Sequence, residues 1–285
     1  MRFRLLCAVI LSSLVGAVSS TAAAAPCGEV VTLSVHGGTT MHYALAKPNR
    51  PKEALPGGPI ALVLLAGGGG HLDLDAEGCP HALTGNSLVR ALPLFHAAGF
   101  TTALVDAPSD YVGEDGLGGF RIAPAHAADL GKVIVDVRAR TQAVVWLIGT
   151  SRGTISAVNA AARLTGAAAP DGIVLTSALM SGHSGGQKAW VEQTVFSVPL
   201  EAIRQPLLVV GHAEDQCIRS PATLMHHITA RTNGVREQVV RVTGGPGQPG
   251  SPSVNACEGR APHGYVDQEE EVVAGIARFV RGGRY

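Results

Sequence analysis

The stretch VVWLIGTSRGTISAVNAA, Val144 to Ala161, decides the fold: an unbroken apolar run, then Gly-Thr-Ser-Arg-Gly, then an alanine-rich run of helical character. An apolar run without polar alternation predicts a strand buried on both faces, the mark of a parallel sheet covered by helices. The helix follows at once, so Gly149, Ser151 and Gly153 occupy a strand-to-helix turn. Either this is an ordinary tight turn or Ser151 is a nucleophile held on a sharp elbow.

Working outward, further apolar runs repeat the strand signal at Val30 to Val35, Met41 to Ala46, Ile60 to Ala66 and Thr101 to Asp106. Beyond the turn they recur at Ile173 to Thr176, Leu207 to Gly211 and Gln238 to Thr243. With Val144 to Ile148 this gives eight strands. Helical periodicity falls at Asn86 to Ala98, Ala125 to Arg140, Ser151 to Leu164, Pro221 to Arg231 and Asp267 to Arg281. Early acids and late arginines (Asp129 with Arg138, Glu269 to Glu271 with Arg278) suit the helix dipole in two of them. Two opening strands followed by alternating strands and helices predict an eight-stranded, mostly parallel α/β sheet with helices on both faces.

The whole chain has 285 residues, 46% of them hydrophobic, enough for one substantial core. Lys plus Arg equal Asp plus Glu at 22 each, which leaves no field to attract nucleic acid or an anionic membrane. Arg2 and Arg4, the apolar stretch Leu5 to Val18 and the small residues Ala22 to Ala25 have the order of an export signal. The expected organisation is therefore a signal peptide over 1–25 and one domain over 26–285, periplasmic or secreted, without a stable membrane anchor. Removing Cys7 leaves Cys27, Cys79, Cys217 and Cys257, an even number for an oxidising compartment. Of three possible pairings, Cys27 with Cys79 and Cys217 with Cys257 is favoured because each joins neighbouring regions of sequence; connectivity stays open at this level. No C-x-x-C or H-x-x-x-H spacing offers a zinc site.

A G-x-S-x-G pattern arises by chance about 0.2 to 0.3 times in such a chain, and it occurs again at Gly182 to Gly186 around Ser184. Context separates the two: Ser151 ends a strand and opens a helix, whereas Ser184 runs into Gly-Gly-Gln-Lys. A serine nucleophile needs a base oriented by an acid, here in the chain order serine, acid, histidine. In LLVVGHAEDQC, Asp215 follows a strand, with Glu214 as the alternative acid. His263, in APHGYVDQEEE, lies in a loop before the last helix, while His226 and His227 belong to a helical pattern. The oxyanion donors would be the backbone N–H of Arg152 and one from the glycine loop Gly67 to Gly70, Gly68 before Gly69.

These residues, in this order on this strand pattern, resemble the α/β-hydrolase superfamily, and in particular exported bacterial serine hydrolases with cysteines beside the acid and the histidine. The resemblance implies a Ser-His-Asp triad of Ser151, His263 and Asp215, an acyl-enzyme and no cofactor or metal. One departure is Ala66, which stands where many relatives carry histidine before the oxyanion glycines.

The segment Ser177 to Gln205, with Trp190 and Phe196, allows a short cap or none. Arg152 is expected to pair with Asp106 or Asp110 or to meet an anionic substrate group, His71, Asp73 and Asp75 to be solvated, and Gly113 to Gly119 to form a flexible loop near the site. The expected function is hydrolysis of a carboxylic ester or related acyl bond in a small molecule. The alternatives are an exopeptidase of prolyl-oligopeptidase type and a non-catalytic binding protein; nothing in the sequence sets the oligomeric state.

Overall fold

All eight apolar runs become strands of one sheet in the computed structural model, which describes residues 27–48, 58–183, 188–247 and 250–285. They are β1 (Glu29–Ser34), β2 (Thr40–Ala46), β3 (Ile60–Leu65), β4 (Thr101–Val105), β5 (Val144–Thr150), β6 (Gly172–Thr176), β7 (Leu207–His212) and β8 (Glu237–Val242). Their spatial order is β1-β2-β4-β3-β5-β6-β7-β8. Only β2 runs antiparallel to its neighbours β1 and β4; all other pairings are parallel. The export signal expected over 1–25 and Ser184 of the second G-x-S-x-G match lie outside the described residues.

The helices are α1 (Ser87–Arg90), α2 (Leu92–Ala97), α3 (Pro124–Thr141), α4 (Gly153–Arg163), α5 (His226–Thr229) and α6 (Glu269–Val280). Side chains alternate across the strands and so feed two separate cores. On one face Val63, Leu65, Val145, Leu147 and Leu175 pack with Ile134 and Val137 of α3 and Ala157 and Val158 of α4. On the other, Leu62, Leu64, Ile148, Val174 and Val210 pack with Phe95 of α2 and Ile276 and Phe279 of α6. No helix among the described residues is long and apolar enough to cross a membrane.

Three expectations change in detail. The helix expected over Asn86 to Ala98 divides into α1 and α2, with Pro93 in the first turn of α2, because proline lacks an N–H and its ring clashes with a preceding carbonyl. The helix expected over Pro221 to Arg231 contracts to α5 after a short 3-10 turn at Ala222–Leu224. Met225 and Ile228 are its buried hydrophobic anchors, too few to hold a long helix. Asp129 does not stand in the first turn of α3, where it would suit the dipole: buried, it accepts from the His36 N–H at 2.9 Å and lies 2.5 Å from His36 Nδ1.

Where β5 turns into α4 the backbone leaves no space. A Cβ at Gly153 would stand 2.0 Å from the carbonyl oxygen of Leu65 on β3, and one at Gly149 would stand 2.5 Å from the carbonyl oxygen of Gly153. Gly153→Ala is therefore expected to lower stability by about 3 kcal/mol, the upper part of the range for overpacking, as read from urea unfolding of the two proteins.

Candidate active site

Ser151 occupies the tightest point of that turn. Its φ is +50°, a left-handed conformation that costs a residue other than glycine about 1 to 3 kcal/mol and persists only where the surroundings enforce it. Its N–H donates to the carbonyl of Thr176 at the end of β6 (3.0 Å), and its carbonyl accepts from the N–H of Thr154 (3.0 Å) and from Thr154 Oγ1 (2.6 Å). Thus α4 begins at Gly153, two residues later than expected, and the hydroxyl stands above the carboxyl ends of the strands.

Asp215 follows β7, and His263 lies in a 3-10 turn at Pro262–Gly264 before α6. Chain separation does not keep them apart: His263 Nδ1 lies 2.9 Å from Asp215 Oδ2, with side-chain exposures of 4% and 1%. Asp215 Oδ1 accepts from the N–H of Cys217 (2.8 Å), and Ser220 Oγ is 3.0 Å from His263 Nδ1. His263 Nε2 is buried without a partner among the described residues. Glu214, the alternative acid, lies instead against Gly247. His226 and His227 are exposed.

Several ties hold the histidine loop. Disulfides join Cys217 to Cys257 and Cys27 to Cys79, the favoured pairing. The first of these couples the loop carrying Asp215 to the segment leading to His263. Arg90 of α1 donates to the carbonyls of Gly85, Gly259 (2.6 Å) and Gly264 (2.7 Å) and pairs with Glu269 of α6 (2.7 Å). Ser177 Oγ donates to the carbonyl of His263 (2.6 Å), and the Tyr265 hydroxyl accepts from Ser177 N–H and donates to the carbonyl of Val210, each at 2.8 Å.

The glycine loop closes the other side. A Cβ on Gly67 would stand 2.9 Å from Ser151 Cβ, so glycine permits the contact. Gly67, Gly68, Ser151 and His263 line one cavity of about 260 Å³, at the small end for a ligand pocket. Gly69 is not among its lining residues; its carbonyl accepts from Leu117 N–H at 2.8 Å. Among the described residues, the backbone N–H groups of Gly68 and Arg152 donate to no protein acceptor. The segment Gly113 to Gly119, expected to be a flexible loop, packs on the glycine loop instead: Leu117 is buried, and a Cβ on Gly116 would meet the Gly69 carbonyl oxygen at 2.2 Å.

Arg152 corrects another expectation. Asp106 is occupied by the N–H groups of Leu72 (2.6 Å), Leu74 and Ala107 and by His71 (3.2 Å), and Asp110 by His36. The Arg152 guanidinium instead lies 3.9 Å from the ring centre of Trp190, in the segment between β6 and β7. That segment adds short 3-10 turns whose Val195, Leu200 and Ile203 join the core, which makes it a short cap packed on the domain. Burial, with the charge of Arg219 nearby, drags the Arg152 guanidinium down to about 10 despite Asp115.

Arg121 was invisible to motif reasoning, since only its place in the fold makes it notable. Its Nη2 donates to the carbonyls of Ala66 and Gly68, each at 3.2 Å, and Nη1 to Ser156 Oγ at 2.8 Å. It thereby holds both ends of the turn whose N–H groups face the cavity. Ser220 and Arg90 escaped for the same reason. Asp215, Cys217 and His263 also bring three potential metal-donor atoms together, but the Cys217 sulfur is taken by the disulfide and Asp215 by His263.

No family model and no curated protein sequence matches the chain. Solved structures do. A cold-adapted esterase from an Arctic intertidal metagenomic library superposes with a TM-score of 0.56 at 14% identity, covering 90% of this chain and 93% of its own. Esterase 2 of Thermogutta terrifontis gives 0.56 at 16%, covering 92% and 98%. An alpha-beta serine hydrolase homologue from Coxiella burnetii gives 0.53 at 14%, covering 88% and 97%. The chain has the α/β-hydrolase fold.

Replacing both Cys217 and Cys257 by serine opens a loop of 40 residues. The expected loss is about 3 to 4 kcal/mol on the chain-entropy account, measured by urea unfolding against the untreated protein.

Proposed function

We propose that the protein is a serine hydrolase that cleaves a carboxylic ester or related acyl bond in a small molecule through a triad of Ser151, His263 and Asp215. The observation that carries this reading is the pairing of His263 Nδ1 with the buried Asp215 at 2.9 Å, with Nε2 left without a partner among the described residues, in a histidine that lines the same cavity as the strained Ser151. With Nδ1–H held by the carboxylate, Nε2 keeps a free lone pair, and that is the tautomer a general base requires.

The steps follow from those positions. Ser151 Oγ attacks the acyl carbon as its proton passes to His263 Nε2, and Asp215 stabilises the imidazolium that forms. The carbonyl oxygen becomes an anion, held by the free N–H groups of Arg152 and Gly68. Gly69, the second choice of donor, is the weaker candidate because it does not line the cavity. The imidazolium then protonates the leaving alkoxide, which departs, and the serine carries the acyl group. Water, deprotonated by His263, attacks the acyl-enzyme and releases the acid. No step calls for a cofactor. The two disulfides support a periplasmic or secreted location.

The small cavity and short cap favour compact acyl groups over a polypeptide. Ser151→Ala is expected to lower turnover of p-nitrophenyl esters by about 10⁴-fold or more, and Asp215→Asn by about 10⁴-fold. A fluorophosphonate probe should label the wild type and not Ser151→Ala. Hydrolysis of aminoacyl nitroanilides alone would assign the site to peptides, and equal ester turnover in wild type and Ser151→Ala would remove Ser151 from the chemistry.

A further inference from the structure

A second, narrow cleft of about 20 Å³ is lined by Arg121, Arg152, Arg219, Trp190 and Gly118, Arg152 being the chain neighbour of Ser151. It has room for a small group and not for a chain. Three guanidinium groups converge on it from three different segments: the loop before α3, the elbow, and the loop after β7.

Among the described residues, none of these arginines has a carboxylate partner in an ion pair. Arg121 is buried and spends Nη1 and Nη2 on a hydroxyl and two carbonyls, while its Nε finds no partner. The Arg152 guanidinium makes no hydrogen bond among the described residues and lies over the Trp190 ring. Arg219 uses Nη1 on the carbonyls of Ser181 (3.3 Å) and Val191 (3.1 Å), and its other side-chain nitrogens make no hydrogen bond among the described residues. Asp115, which acts on Arg152 through its charge, shares the single cation of Lys188 with Glu114, so this trio keeps one negative charge against the three positive charges of the arginines.

Like charges gathered in a partly dry cleft repel one another, and burial deprives them of water. Burial and the charge of Arg152 lower the Arg121 guanidinium to about 9, so it remains a cation at neutral pH. Such an arrangement is stabilised by an anion from outside. Planar guanidinium forks match a carboxylate, which can accept from two of them at once.

We infer that this cleft receives a carboxylate carried on the acyl chain of the substrate, so that the preferred substrates are half-esters of short dicarboxylic acids. The inference rests on the serine hydrolase reading for its chemistry, and what ties the cleft to the nucleophile is that Arg152 follows Ser151 directly in the chain. Arg121 links the two regions, holding the carbonyls of Ala66 and Gly68 on one side and lining the cleft on the other.

The test compares kcat/KM for the p-nitrophenyl half-esters of succinate, glutarate and adipate with that for butyrate, valerate and hexanoate of matched length. Rates are corrected with Ser151→Ala and measured at low ionic strength, since screening weakens charge recognition. At least one half-ester is expected to exceed its neutral match about tenfold or more, and Arg219→Gln and Arg152→Gln to lower that ratio at least about fivefold. A ratio of one or below across the series, or one that both variants leave unchanged, overturns the inference. Binding is read separately by calorimetric titration of Ser151→Ala with the same free dicarboxylates. Saturable binding that weakens in Ser151→Ala/Arg219→Gln supports the site. If no ester is turned over yet a dicarboxylate binds in this way, the hydrolase reading falls and the anion site stands. If neutral esters turn over with no preference for charge and no dicarboxylate binds, the anion site falls and the hydrolase reading stands.

Discussion

The constraint on which the structure depends is the absence of space between β5, α4 and β3. Gly153 lies against the Leu65 carbonyl and Gly149 against Gly153 so closely that a single added carbon at either would overlap backbone atoms. The connection must therefore be made in two residues, and Ser151 absorbs the reversal at φ +50°. Such strain survives because the cores on both faces of the sheet, with Val145 and Leu147 on one and Trp146 and Ile148 on the other, fix the strand that leads into it. The same close approach sets the Gly67 turn against the Ser151 side chain. One packing fact thus places a hydroxyl, an N–H pair and a cavity together.

Asp215 and His263 reach that point by a different route. Parallel pairing of β5, β6 and β7 lines up the ends of these strands, so the loop after β7 opens on the same rim as the elbow. The histidine loop has no strand of its own to aim it. It is held by covalent and polar ties: the Cys217–Cys257 bridge, the Arg90 clamp on Gly259 and Gly264, and Ser177 on the His263 carbonyl. Gly264 and Gly259 approach so closely that a Cβ on the former would meet the latter's carbonyl oxygen at 1.8 Å. With the loop fixed at its backbone, the imidazole is oriented by Asp215 and Ser220, both within hydrogen-bond distance of Nδ1.

Charge is organised unevenly around this centre. The chain is balanced in formal charge, yet the carboxylates nearest the site are engaged by N–H groups, His36, His71 or Lys188, while Arg121, Arg152 and Arg219 are held by carbonyls, hydroxyls and an aromatic face. A neutral protein can therefore present a local cationic surface, because net charge says nothing of which charges the fold has paired.

The sequence by itself determined the eight strands, the elbow serine and the order of acid and histidine behind it, since each is written in local chemistry. Unbroken apolar runs specify strands buried on both faces, and glycines around Ser151 specify a close approach. The division of α1 from α2 is also local in origin, set by Pro93 against an apolar periodicity that runs across both. Tertiary structure alone decided that Asp215 and not Glu214 meets His263, that Gly68 and not Gly69 faces the cavity, and that Arg152 lies on Trp190 and not beside Asp106 or Asp110. It alone brought Arg121, Ser220 and Arg90 into the site. The physical reason is common to all of these: which of two adjacent side chains points inward, and which distant charge lies within reach, depends on backbone direction and on contacts between segments far apart in the chain, and neither leaves a local pattern in the sequence.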